Sequence, residues 1–190
     1  MNRIEKISIL LGDVALPLMG YLFWHWDLYF ILLFFILDQL SRTVFLPWRL
    51  KLTSISIKDK NHLIFQQFML FLIELLVIHG MIYMQTPSIN FGKEIISFLT
   101  YKDMGIQQGF VLLPLVIAGE WMRINNELKL GLIGKHQILV IDQNKRNSII
   151  RICFFSFLIG ILNLFKIQES GLVISFLALI IVLFFFDRKK

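Results

Sequence analysis

The stretch FFILDQLSRTVF, Phe34–Phe45, sets an Asp and an Arg four residues apart inside an otherwise apolar run. The surrounding segment, Leu28–Trp48, has the length of a membrane-crossing helix. At 1.5 Å per residue, about 20 residues cross roughly 30 Å of hydrocarbon. An ionised side chain at the centre of such a helix costs about 2.5–3.5 kcal/mol on insertion scales. Charges there turn toward the bundle or toward water, and they pair. Asp38 and Arg42 share one helix face, with the acid nearer the N-terminus, which is the favourable order. The spacing predicts an intrahelical pair that neutralises Arg42 and fixes which face of the helix points inward.

The rest of the chain supports the same class. Its 190 residues are 57% hydrophobic and 14% aromatic, with 19 Phe and only 17% charged. Mean hydropathy is +0.72. Soluble domains are about 45–50% apolar, so this chain has too little polar surface to cover a soluble globule. The expectation is an all-α, polytopic membrane helix bundle, with residues 1–190 as one domain. The net charge of +6 does not point to nucleic acid, because the basic residues cluster briefly between apolar runs. Those are the places where cytoplasmic loops carry Lys and Arg.

Six segments read as spans: Ile7–Trp24, Leu28–Trp48, Leu63–Met84, Ile106–Met122, Ile149–Phe165 and Gly171–Phe186. The N-terminal run resembles the start of a signal peptide. However, Asp13 interrupts it and no small-x-small site follows before Trp24, so it reads as a retained first span. With the N-terminus inside, fifteen of the 19 Lys and Arg fall on the inner side. Only Lys93, Lys102 and Lys166 fall outside, and Arg42 lies within the membrane. The bias predicts N-in, C-in. Trp24, Trp26, Tyr83 and Tyr101 then lie near the outer interface, and Trp48 and Trp121 near the inner one, as aromatic belts do.

The connections add detail. His25–Asp27 is short enough to make the first two spans an antiparallel hairpin. Within the outer loop Gln85–Gly105, IISFLT reads as a short surface helix. The inner segment Asn125–Asn147 is half apolar, so it either packs against the inner mouth or extends the fourth span. Cys153, the single cysteine, can form no intrachain disulfide and reads as a small buried hydrophobe.

Several polar residues fall at membrane depth. Glu74, midway along the third span, should match Asp38 in depth. Two carboxylates close together in a low dielectric cannot both ionise easily, so the pair could hold a proton or a cation. His79 lies further along the same span. Asp13 could meet Arg42, and Gln39 could hydrogen-bond across helices. Glu120 and Arg123 read mainly as a boundary pair. For Asp38–Arg42, Glu74 and His79, purely structural pairing stands beside transport or catalysis. No phosphate loop, zinc-protease or nucleophile-elbow motif is present, so no catalytic residue, cofactor or metal is assigned.

The order of features is similar to a family of uncharacterised bacterial membrane proteins, domain-of-unknown-function family 6498. The residues that carry the resemblance are WDLYFILLFFILDQ at Trp26–Gln39, VIHGMIY at Val77–Tyr83, Glu120 with Arg123, RICFFSFLIG opening with Arg151, and Asp187 ending the last span. The family pattern has Trp where this chain has Leu37, Glu-Asn where it has Asp38-Gln39, and a Tyr between the residues matching His79 and Gly80. The resemblance implies a six-helix bundle and no activity. It draws attention to Asp38, His79, Glu120 and Arg151 as a set.

These readings lead to three expectations of function. The first is an integral protein of the bacterial inner membrane whose biochemical activity the sequence does not specify, with room for an accessory or complex-subunit role beside a membrane-protein partner or as a homo-oligomer. The second is a small proton- or cation-coupled transporter. The third is an intramembrane metal-dependent enzyme.

Overall fold

The computed structural model describes residues 16–101, 108–132, 134–165 and 168–186. Asp13, Asp187 and the start of the first expected span lie outside these. The described residues form seven helices and no strand: α1 (Leu16–Phe23), α2 (Leu28–Lys51), α3 (Ile57–Gln85), α4 (Phe91–Thr100), α5 (Gln108–Lys129), α6 (Lys135–Leu164) and α7 (Glu169–Phe186).

The all-α expectation holds. Two helices, α2 and α3, are long and apolar enough to cross a bilayer, and α7 is apolar but shorter, over Glu169–Leu183. Among the described residues, two helices of spanning length and apolarity stand where six spans are expected. α5 and α6 carry ionic residues along much of their length, with Glu120, Arg123 and Glu127 on one and Asp142, Lys145, Arg146 and Arg151 on the other.

Local chemistry sets the helix ends. Asp27 caps α2, accepting from the Phe30 N–H at 2.7 Å. Ser56 and Asn90 cap α3 and α4 in the same way, each satisfying an otherwise orphaned N–H. Glu169, in the first turn of α7, accepts from the Leu28 N–H at 2.7 Å and ties two helix starts together. α5 stops at a Schellman turn: Gly131, at φ 69°, donates to the Leu128 carbonyl, while Leu132 donates to that of Glu127. The α1–α2 hairpin is as tight as expected, and IISFLT does belong to a short helix, α4. The Asn125–Asn147 segment divides between the two neighbouring helices. α5 runs on to Lys129, and α6 begins at Lys135, well before the expected Ile149.

α2 is central and packs against α1, α3, α4, α5 and α7, while α3 packs along α6. The partners fix helix direction. Gln66 meets Lys145 and Glu74 meets Arg151, so α3 and α6 are parallel. Leu28 meets Glu169 and Phe35 meets Phe176, so α2 and α7 are parallel too. The main apolar core gathers where α2 begins, around Trp26, Tyr29, Ile31, Leu32, Ile78, Met81, Phe98, Phe155 and Phe176. A much smaller cluster, Leu46, Leu50 and Ile141, serves the other end. Cys153 is exposed, contrary to the buried site expected of it; it projects from the outer face of α6.

Gly20 makes the hairpin possible. A Cβ there would fall 2.1 Å from the Trp26 ring. Gly20→Ala is therefore expected to destabilise the fold by about 1–3 kcal/mol, read as a lowered melting temperature of the purified protein in detergent.

Candidate functional site

Asp38, Arg42 and Arg49 stand at i, i+4 and i+11 on α2, so one stripe of the helix carries all three. Glu120, Arg123 and Glu127 stand at i, i+3 and i+7 on α5 and make the facing stripe. Arg49 joins the two. Its Nη1 donates to Glu127 Oε2 at 2.7 Å and to Gln137 Oε1 at 2.8 Å. Its Nε and Nη2 donate to Glu120 Oε1 at 3.2 and 3.0 Å. The Arg49 side chain is only 1% exposed. Gln137 completes the knot from α6, donating to Glu127 Oε2 at 2.9 Å and to the Leu132 carbonyl at 3.0 Å.

Glu120 has a second guanidinium. Arg123 Nη2 lies 2.7 Å from its Oε2. The expected boundary pair exists, but Arg49 makes it part of a larger network. Arg42 pairs with Asp38 at 2.8 Å, as the opening spacing predicts. Its charge also bears on Glu120 and Arg123.

A second network lies between α2, α3 and α6. Arg151 grips Glu74 with two hydrogen bonds, Nε to Oε1 at 2.5 Å and Nη2 to Oε2 at 3.2 Å. Nη2 also reaches Gln39 Oε1 at 3.1 Å and Ser148 Oγ at 2.9 Å. Phe35 presents its ring face 5.1 Å from the guanidinium carbon, a favourable cation–π contact. Glu74 and Arg151 are both buried. Gln39 makes the cross-helix bond expected of it, and its amide donates to Asp38 Oδ2 at 3.3 Å. Glu74 therefore meets Arg151, and Asp38 meets Arg42. The link between the two carboxylates runs through Gln39 and Arg151.

His79 belongs to neither network. Its Nδ1 lies 2.8 Å from the Leu75 carbonyl, which can only accept, so Nδ1 carries the proton. In the neutral ring Nε2 then accepts from the Tyr29 hydroxyl at 3.0 Å. Phe91 packs on the His79 ring, with centroids 4.9 Å apart. Of the set drawn from the resemblance, Asp38 and Glu120 share the α2–α5 side, Arg151 lies across α2, and His79 stands apart. Among the described residues no group of three or more His, Cys, Asp or Glu could hold a metal ion.

Arg49, Glu127, Gln137, Ser148 and Tyr29 are the participants that sequence reasoning missed. Arg49, one of the inner basic residues by charge bias, and Arg151, to which the resemblance draws attention, are both buried in ion pairs. The i+11 spacing from Asp38 and the i+7 spacing from Glu120 would have found Arg49 and Glu127. No spacing points to Gln137, because it reaches the site from a third helix.

No family model, curated protein or solved structure matches the chain.

Removing one member of a buried pair leaves an uncompensated charge, a loss of about 3–5 kcal/mol. Glu74→Gln is expected to destabilise by that order, while Glu74→Leu with Arg151→Met recovers most of the loss. Thermal unfolding of the two proteins in detergent compares them directly.

Proposed function

We propose that this chain is a six-span protein of the bacterial inner membrane, N-in and C-in, serving as an accessory or complex subunit with no chemistry of its own. The membrane reading rests chiefly on α3. Only 17% of its most apolar stretch is buried, and Phe65, Phe68, Met69, Ile73, Leu76 and Met84 are exposed along it. A core helix of a soluble protein is mostly covered; one facing lipid is not. The helix directions agree. α2 and α7 run one way and α3 and α6 the other, as alternating spans require. The Lys and Arg bias then puts Arg49 at the inner end. The bacterial assignment follows the motif resemblance.

One observation carries the non-catalytic part. Asp38 and Glu74 are each held by an arginine across or along a helix. That arrangement uses their charge for helix registry. A specific observation keeps proton- or cation-coupled transport as the second reading: the Asp38 side chain retains 29% exposure.

Two measurements test these statements. In a Cys153→Ser background, Lys93→Cys should react with a membrane-impermeant maleimide from outside, and Lys129→Cys only after permeabilisation. The reverse pattern overturns the orientation. Reconstituted into liposomes under a pH gradient, the purified chain should pass no more protons or cations than protein-free vesicles. Flux that disappears in Asp38→Asn would establish transport instead.

A further inference from the structure

An apolar groove of about 190 Å³ opens between α2 and α5, lined mainly by Leu37, Leu40, Val44, Leu113, Val116 and Ile117. Leu37–Phe45 and Leu113–Ile117 border the same groove, and Arg49 further on meets Glu120 and Glu127, so the two helices run parallel past it. Arg123 stands seven residues beyond Val116, two turns along the same stripe of α5. That is about 10 Å farther toward the Arg49 end. In the topology proposed above this is the inner interface, where phospholipid phosphates lie.

The cations at the foot of the groove are not equivalent. Arg49 has two carboxylates and an amide for itself and is sealed inside the bundle. Arg123 shares Glu120 with Arg49 and keeps its side chain 30% exposed. Arg42, 23% exposed, adds its charge beside it. A phosphodiester is an anion that two neighbouring guanidiniums recognise well.

We propose that the α2–α5 groove holds an inner-leaflet glycerophospholipid, with one acyl chain along Val116 and Leu40 and its phosphate on Arg123. The proposal rests on the membrane reading. The lipid phosphate pairs with the exposed part of the Arg123 guanidinium, and the charge of Arg42 adds to the attraction. The acyl chain covers the apolar walls that neither helix reaches across to fill.

The test is native mass spectrometry of the full chain released from detergent, titrated with dioleoyl phosphatidylglycerol. One lipid per chain should bind at low micromolar concentration. Arg123→Gln should cut occupancy about tenfold, and Val116→Trp, which fills the groove without touching the charge, should do the same. Ile174→Trp, on the exposed face of α7, should leave it unchanged. Glycerophosphate without acyl chains should not compete. Equal binding in both groove variants, or full competition by glycerophosphate, overturns the proposal. Circular dichroism melts identify any variant that fails to fold, and Val116→Trp and Arg123→Gln act on opposite ends of the site. A chain absent from the membrane fraction defeats the membrane reading itself. A membrane-extracted chain that binds no lipid at the groove defeats only this inference.

Discussion

Arg49 can be buried only because three other side chains surround it. A guanidinium carries five donors and cannot shed its charge. Placed at 1% exposure, it requires acceptors on every side, and it finds them on α5 and α6. That requirement fixes the rotation of α2 about its axis, the depth of α5 beside it, and the point where α6 must start. The Schellman turn at Gly131 serves the same end. It reverses the chain within a few residues, so that Gln137 returns to the knot and anchors to the Leu132 carbonyl.

The bundle is held in two different ways at its two ends. Where α2 begins, aromatic and branched side chains pack into a continuous core, with Trp26, Phe30, Phe98 and Tyr101 in ring contact. Where α2 ends, the apolar cluster is small and the Arg49 network joins the helices, with the Arg151 network midway along α2. In the bilayer setting proposed above, apolar side chains bring little preference for helix contact over lipid contact. Hydrogen-bonded charges do, because their alternative in hydrocarbon is far worse. Directional pairs therefore specify the arrangement there, while packing density specifies it at the Trp26 end.

The Arg151 network shows why a buried carboxylate is an ambiguous sign. Glu74 has the burial expected of a proton-carrying group, yet an arginine from another helix grips it with two parallel hydrogen bonds. Gln39, Ser148 and Phe35 complete the shell around that arginine. Asp38 and Glu74 lie on neighbouring helices, and the amide of Gln39 and the guanidinium of Arg151 stand between them.

Much of this was legible in the sequence. Apolar runs of spanning length gave the all-helical class, and Asp27, Ser56 and Asn90 stand just ahead of helices as caps do. The i, i+4 spacing of Asp38 and Arg42 dictated their pair, because both residues ride on one helix and its geometry is fixed. IISFLT and the tight hairpin were equally local. Contacts between helices were not legible: that Glu74 belongs to Arg151, that Arg49 draws Glu120, Glu127 and Gln137 together, or that His79 turns to Tyr29. Those depend on how each helix is rotated about its own axis. Periodicity shows which residues share a face, and only the packed structure decides which faces meet.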